Sequence, residues 1–196
     1  MHYILYCLDK PGHAQVRAAN REAHLAWAAA NRDTMLMGGP LLTDNGKTMT
    51  GSLALFEAAS VEPVEAFAAG DPYGKAGLFQ SVEIHPWYQA VPGERMGRGG
   101  TSDIETLWLI FGRQRPNAED DRARVMDEHV AFVRENLAII HYAGPMFADD
   151  EETPIGPLFI IAAKDRAGAE AFLAADPFSR IGLLDSVDVR RWKQTV

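Results

Sequence analysis

Residues 66–73 read Ala66-Phe67-Ala68-Ala69-Gly70-Asp71-Pro72-Tyr73, and residues 171–178 read Ala171-Phe172-Leu173-Ala174-Ala175-Asp176-Pro177-Phe178. The two stretches lie 105 positions apart, and the same shift aligns most of the chain with itself almost without gaps. Other matched pairs are His24 with His129, Gly39-Pro40 with Gly144-Pro145, Gly51 with Gly156, and Trp87 with Trp192. Because chance does not place such residues in one register, the sequence predicts two homologous domains.

The repeat sets the expected domain boundaries. We expect one domain at residues 1–91 and a second domain at residues 105–196. Residues 92–104 are rich in glycine, a composition typical of a flexible linker between domains.

Each repeat has the same predicted order of elements, β-α-β-β-α-β. In the first repeat we expect strands at 3–8, 34–41, 51–58 and 81–87, and helices at 14–31 and 61–69. The dipeptide Asn45-Gly46 is typical of the hairpin turn between the second and third strands. The first strand and helix recur at 107–111 and 118–136. This order predicts the α+β class, with two ferredoxin-like units whose helices lie on one face of an antiparallel sheet.

A sheet that helices cover on one face leaves its other face apolar and open. Two such sheets packed face to face remove this exposure, and here one chain supplies both. We therefore expect an intrachain pseudo-dimer that copies an isologous dimer, with a homodimer of such chains as a further option.

The composition restricts the classes of partner. Of 196 residues, 47% are apolar and 23% are charged, and the formal net charge is −8. An acidic globular chain is a poor partner for nucleic acid or for anionic lipid. A lone cysteine, Cys7, excludes an intrachain disulfide and a Cys-based zinc site. With neither a basic leader nor a long apolar run, a soluble cytoplasmic protein of bacterial type is the expectation.

A stripe on the first helix carries the first candidate site residues. At helical spacing Arg17, His24 and Trp27 share one face, and the second repeat places Arg122, His129 and Phe132 in the same positions. This amphipathic stripe favours a helix margin beside a cavity. A half-buried histidine with a structural hydrogen bond is the alternative, and the recurrence of the histidine makes the two interpretations about equal.

Asp71 and Asp176 each precede a proline, a pattern typical of a helix N-cap. Capping is the favoured role, but it does not exclude catalysis because a carboxylate has a second oxygen. An aspartate beside a histidine orients the ring and stabilises its protonated form. The two residue types together are suited to general acid–base chemistry.

Other polar residues are weaker candidates. Ser81 and Ser186 begin the last predicted strands and could bind a ligand, although a role in strand geometry is favoured. For Arg17 and Arg21, a solvated helix surface is favoured over contact with a substrate carboxylate or enolate. The histidines lack a partner at i+4 for a metal, and neither a Gly-x-Ser-x-Gly nor a Gly-x-Gly-x-x-Gly motif is present.

The first repeat resembles the YCII-related (YciI-like) domain of the dimeric α+β barrel superfamily. The resemblance rests on the motifs Tyr3-Ile4-Leu5-Tyr6-Cys7, Arg21-Glu22-Ala23-His24-Leu25, Gly38-Gly39-Pro40-Leu41-Leu42, Gly70-Asp71-Pro72-Tyr73 and Ser81-Val82-Glu83-Ile84-His85-Pro86-Trp87. The second repeat is more divergent, and Pro157 and Arg180 depart from the pattern. The resemblance implies a barrel formed by the two sheets. It also implies a histidine–aspartate pair in a cleft, which maps onto His24 with Asp71 and onto His129 with Asp176.

The residues and the resemblance together suggest a cofactor-independent acid–base enzyme, a lyase or isomerase. Relatives implied by the resemblance include a dehydrochlorinase of aromatic degradation. His24 would move a proton, Asp71 would orient it, and the substrate would be a small cyclic or aromatic-derived molecule. The alternatives are a non-catalytic binding or sensing module, a cofactor-free monooxygenase, and a structural or assembly role.

Overall fold

The structure, a computed structural model, describes residues 1–91 and 106–195. The predicted linker at 92–104 lies outside the described residues. Two compact units are present. Among the described residues, the first unit comprises 1–87 with 193–195, and the second comprises 88–91 with 106–192.

The first unit contains the predicted order of elements, with one further short helix at Pro72–Lys75 before the last strand. These are β1 His2–Asp9, α1 Ala14–Ala30, β2 Met35–Leu42, β3 Met49–Glu57, α2 Glu62–Gly70, α3 Pro72–Lys75 and β4 Phe79–Trp87. The strands form an antiparallel sheet in the order β2-β3-β1-β4, in which Ile4 of β1 lies opposite Leu55 and His85. The ferredoxin-like βαββαβ prediction is confirmed for this unit.

The second unit repeats this architecture. It contains β5 Leu107–Gln114, α4 Glu119–Arg124, α5 Met126–Glu135, β6 Ile140–Phe147, β7 Pro154–Ala162, α6 Arg166–Ala175, α7 Pro177–Arg180 and β8 Leu184–Trp192. The sheet order is β6-β7-β5-β8, and every strand begins and ends 105 positions after its counterpart. The sequence register is therefore also the structural register.

The first helix of the second unit differs from its prediction. One helix was expected over 118–136, but α4 and α5 are separated at Val125, whose φ is −113° and ψ is 10°. The Val125 side chain is buried in a cluster with Phe178 and Leu183.

The helix-facing side of each sheet carries the core. In the first unit Tyr3, Leu5 and Phe56 of the sheet pack against Val64 and Phe67 of α2. The core of the second unit includes Ile110, Phe159 and Phe172. No helix in the described part of the chain is both long and apolar enough to cross a membrane.

The segment that follows β8 in the sequence belongs to the first unit. Lys193 N donates to Pro40 O at 3.1 Å, and Thr195 N donates to Gly38 O at 2.9 Å. Gly39 lies between these bonds, where a Cβ atom would collide with the carbonyl oxygen of Lys193. Glycine is therefore required at position 39 by the close approach of two backbones.

The close approach at Gly39 gives a stability prediction. Gly39→Ala should lower the free energy of unfolding by about 1–3 kcal/mol, the usual cost of overpacking, because the 193–195 segment must shift. Urea unfolding measures the change. As a control, Gly168→Ala should be neutral or stabilising by up to about 1 kcal/mol, because this α6 position has room for a methyl group. Equal effects of the two substitutions would contradict the assignment.

Candidate active site

The imidazole of His24 and the carboxylate of Asp71 meet in the first unit. His24 lies on α1, and its Nδ1 is 2.9 Å from Asp71 Oδ1 and 3.1 Å from Oδ2. Asp71 is the N-cap of α3, where Tyr73 N donates to Oδ1 at 2.9 Å, and Pro72 occupies the first helical position. The structure thus combines the capping contact with the histidine contact in one side chain.

The carboxylate fixes which imidazole nitrogen is available. An ionised carboxylate only accepts hydrogen bonds, so Nδ1 of His24 carries a hydrogen and donates it to Asp71. The remaining nitrogen, Nε2, is left to exchange a proton with another molecule. His24 also lines a cavity.

Tyr73 holds the histidine ring from one side. Its ring stacks on that of His24, with centroids 4.0 Å apart and an interplanar angle of 18°. Burial raises the pKa of the Tyr73 phenol, an effect that the nearby charge of Arg17 partly opposes. The phenol therefore stays neutral near neutral pH.

Arg17 is buried, contrary to the expected solvated helix surface. Its Nε donates to Asp9 Oδ2 at 2.6 Å, its Nη2 donates to Asp9 Oδ1 at 2.7 Å, and only 5% of the residue is exposed. Burial alone would lower the pKa of the guanidinium, but the hydrogen bonds and charge of Asp9 outweigh it and raise the pKa. Nη2 also donates to Ser52 Oγ at 3.2 Å. The Arg17 charge is therefore compensated within the protein.

The cavity beside His24 has a volume of about 150 Å³. Its polar lining consists of Arg17, Arg21, His24, Ser52, Asp71 and Tyr73, and apolar side chains form most of the remainder. Thr195, from the segment that pairs with β2, is also in the lining. A mostly apolar space with a few convergent polar groups is typical of a small-molecule site.

The charged side chains that line this cavity differ in whether they have an ion-pair partner. Arg17 is paired with Asp9, and His24 contacts Asp71, whereas no ion pair in the described residues compensates Arg21. Arg21 lies one helical turn before His24 on the same face of α1. The cavity thus presents one uncompensated cation beside the histidine.

Cys7 also lines the cavity but is poorly suited to nucleophilic chemistry. Burial raises the pKa of its thiol, and the negative charge of Asp71 adds to the increase. Since the thiolate is the reactive form, the thiol is inert near neutral pH. Cys7 is therefore a small buried residue in the wall of the cavity.

Two predicted ligand contacts of the first unit lie outside the cavity lining. The Trp27 indole Nε1 donates to Phe67 O at 3.2 Å, and its ring packs beside Phe67 in the helix-facing core. Ser81 lies in β4 opposite Leu8. Ser52 and Tyr73 line the cavity but are not among the predicted ligand contacts. Because Tyr73 directly follows the capping pair Asp71-Pro72, the sequence could have indicated that Tyr73 lies near the histidine.

The second unit repeats the histidine–aspartate contact with different surroundings. His129 Nδ1 is 2.7 Å from Asp176 Oδ1, which also accepts from Phe178 N at 3.1 Å. The Phe178 ring stacks on His129 with centroids 3.8 Å apart. Asp176 Oδ2 is buried without a hydrogen-bond partner among the described residues.

The remaining predicted residues of the second unit form no comparable polar group. Arg122 contacts Gln114, where the first unit has Asp9, and burial lowers the pKa of its guanidinium while Asp176 partly opposes this. Phe132 packs against Phe172, and Ser186 is exposed on β8. Among the described residues, no group of three or more His, Cys, Asp or Glu side chains could hold a metal ion.

Comparison with known proteins gives two matches to one family. The model of the YCII-related domain matches residues 1–88 and again residues 106–193. Protein YciI of Escherichia coli O6:H1 is 34% identical over 94 residues, which cover 44% of this chain and 96% of YciI.

Two solved structures are similar to the chain in different ways. The 5-chloro-2-hydroxyhydroquinone dehydrochlorinase of Burkholderia phenoliruptrix AC1100, in complex with 2,5-dihydroxybenzoquinone, is 38% identical with a TM-score of 0.42, covering 45% of this chain and 94% of that chain. A chlorite dismutase variant of Candidatus Nitrospira defluvii is 10% identical with a TM-score of 0.64, covering 100% and 91%. The second likeness concerns the fold alone and extends over the whole chain, which supports the dimeric α+β barrel class.

The two contacts of Asp71 give a prediction that separates capping from the histidine contact. Asp71→Ala should lower the free energy of unfolding by more than Asp165→Ala, which removes only the cap of α6 at about 0.5–2 kcal/mol. The additional cost arises because Nδ1 of His24 loses its buried acceptor. Asp71→Asn should stay within about 0.5 kcal/mol of the unchanged protein, because asparagine caps as well as aspartate. Denaturant unfolding measures all three, and equal losses for Asp71→Ala and Asp165→Ala would show that the His24 contact contributes nothing.

Proposed function

The chain belongs to the YCII-related domain family, and on that premise we propose that its first unit is a cofactor-independent acid–base enzyme. The reaction class is a lyase or isomerase. The substrate is a small cyclic or aromatic-derived molecule that carries a negative charge. His24 is the residue that transfers the proton, and Asp71 is the positioning residue for it.

The observation that carries this proposal is the contact between His24 Nδ1 and the Asp71 carboxylate at 2.9 Å. A binding module needs no oriented imidazole, whereas a general base needs one nitrogen held and the other directed to the reacting atom. Histidine is the side chain whose ordinary titration lies nearest neutral pH. The contact therefore favours an enzyme over the binding alternative.

The cavity supports a substrate with a single ring. Its volume of about 150 Å³ equals that of an engineered protein cavity known to admit benzene, also about 150 Å³. Arg21, an exposed arginine in the cavity lining, favours an ionised oxygen on that ring, because a hydrogen bond between two charged groups is stronger than one between neutral groups. Leu5, Met35 and Phe67 supply the apolar walls for the ring faces.

An elimination in this site balances without an oxidant. In the diketo tautomer of a chlorinated hydroquinone the C–Cl carbon and the ring carbon next to it are both sp3, and Nε2 of His24 removes a proton from that neighbouring carbon. The C–H electron pair becomes a C=C bond, the C–Cl bond breaks, and chloride leaves with its pair. The products are a quinone and HCl. In a lactone isomerisation the same nitrogen would carry the proton from one carbon to another.

The proposal is tested by a substrate screen followed by substitution. Chlorinated hydroquinones are assayed for chloride release and dienelactones for absorbance change, with oxygen uptake recorded in parallel. For any substrate found, His24→Ala should lower kcat by about 10²–10⁴-fold, the usual contribution of general acid–base catalysis. Asp71→Asn should lower kcat at least about 10-fold, while stability is nearly unchanged.

The matched control is His13→Ala, because His13 precedes the same helix, contacts Pro11 O and is not part of the cavity lining. It should leave turnover unchanged. Full turnover by His24→Ala would contradict the proposal. Stoichiometric oxygen uptake would favour a monooxygenase instead, and tight binding of a screened compound without turnover would favour the binding module.

Arg21 gives a separate prediction about charge recognition. Arg21→Met should raise KM for an anionic substrate about 10-fold or more, with a smaller change in kcat, because a hydrogen bond to a charged group is worth about 1.5–3 kcal/mol. Arg32→Met, on an exposed arginine outside the cavity, is the control. Steady-state kinetics measure both variants. The assignment would be overturned by an unchanged KM in Arg21→Met, or by equal effects of the two substitutions.

A further inference from the structure

The two repeats retain the same histidine–aspartate contact but differ in the space beside it. The 105-residue register pairs each cavity-lining position of the first unit with a position of the second unit. At position 54 the first unit has alanine, which lines the cavity, and its counterpart is Phe159. Strand pairing confirms this equivalence, since Ala54 lies opposite Leu5 and Phe159 opposite Ile110.

The Phe159 ring lies between two groups whose counterparts bound the cavity of the first unit. It meets His129 edge-on at 6.1 Å between centroids and Phe172 at 5.3 Å. The counterparts of these partners, His24 and Phe67, both line the cavity of the first unit. A phenyl ring thus lies where the first unit has room for a ring-sized ligand, and Phe159 is 1% exposed within the core.

The polar groups that would hold an anionic ligand are also replaced in the second unit. Asp9, Arg21, Ser52 and Tyr73 correspond to Gln114, Met126, Pro157 and Phe178. Phe178 still stacks on His129, so the ring of the histidine is held without a nearby phenol. The histidine–aspartate contact is kept, and Arg122 stands at the position of Arg17, whereas these four positions carry uncharged residues in the second unit.

We infer that only the first of the two repeat-related sites takes a ligand, and that the Phe159 side chain occupies the ligand space of the second. His129 and Asp176 then join α5 to α7 as a structural contact, and the catalytic assignment is confined to His24 and Asp71. The inference rests on the proposed function only in taking the cavity beside His24 as the ligand site. The number of ligand sites is inferred from the geometry of the two repeats and does not depend on the reaction.

A neutral probe locates the sites independently of any reaction. Crystals are soaked in bromobenzene, and anomalous scattering from bromine shows where the ring binds. In the unchanged protein bromine should appear beside His24 and not beside His129. In Phe159→Ala it should appear beside His129 as well, because removing the ring leaves a cavity of aromatic size.

Each outcome at the second site decides the inference. Bromine beside His129 in the unchanged protein overturns it, and so does an empty second site in Phe159→Ala. Bromine beside His24 in the unchanged protein, and beside His129 only after the substitution, supports it, whereas an empty first site overturns it. The proposed function is tested by turnover, so its failure is distinguishable from the failure of this inference.

The reciprocal substitution tests the first site. Ala54→Phe places in the first unit the residue that the second unit tolerates at the same position, and thermal unfolding checks that it folds. Titration with 2,5-dihydroxybenzoquinone should give one site per chain in the unchanged protein and at least a 10-fold loss of affinity in Ala54→Phe. Ala54→Leu, if the phenylalanine variant does not fold, should weaken binding in the same direction. Two sites per chain in the unchanged protein, or full affinity in either variant, overturns the inference.

Discussion

The Asp71 carboxylate accepts hydrogen bonds from two elements that are distant in the chain, the first turn of α3 and the His24 ring of α1. Pro72 fixes the backbone at the start of α3, so the orientation of the Asp71 carboxylate does not depend on a ligand. Tyr73, the next residue, stacks on the same imidazole. One side chain, Asp71, therefore supports three features. These are the position of α1 against the short helix, the tautomer of the histidine and the wall of the cavity. Its counterpart Asp176 has the same two contacts in the second unit.

Charge compensation distinguishes the two units more than the histidine–aspartate contact does. In the first unit Asp9 accepts two hydrogen bonds from Arg17. These bonds offset the desolvation cost of the buried Arg17 charge, so the guanidinium stays ionised. In the second unit Gln114 offers a neutral oxygen to Arg122, and the pKa of that guanidinium is lowered rather than raised. The second unit has accordingly replaced polar walls by phenylalanine and proline. At these aligned positions the second unit therefore has apolar residues where the first unit has polar ones.

The order of the strands, and their bounds to within about three residues, could be predicted from sequence because they depend on local signals and on the repeat. The hairpin turn at Asn45-Gly46 and the aromatic first strand are predicted correctly without knowledge of tertiary contacts. The break at Val125 could not be predicted because no glycine or proline marks it in the sequence; the structure places Val125 in a buried cluster with Phe178 and Leu183. The burial of Arg17 depends on Asp9, which lies on a different element. The repeat alignment shows that Phe159 stands where the first unit has Ala54. Only the structure shows that this position lies between a histidine and a phenylalanine.

The short segment that pairs with β2 has a consequence for biosynthesis. Residues 193–195 are translated after the entire second repeat, yet they hydrogen-bond to Gly38 and Pro40 of the first unit, and Thr195 lines its cavity. A nascent chain that has emerged only as far as β4 lacks this part of the first sheet. The first unit can therefore complete its cavity lining only after residues 193–195, which follow the whole second repeat, have been synthesised.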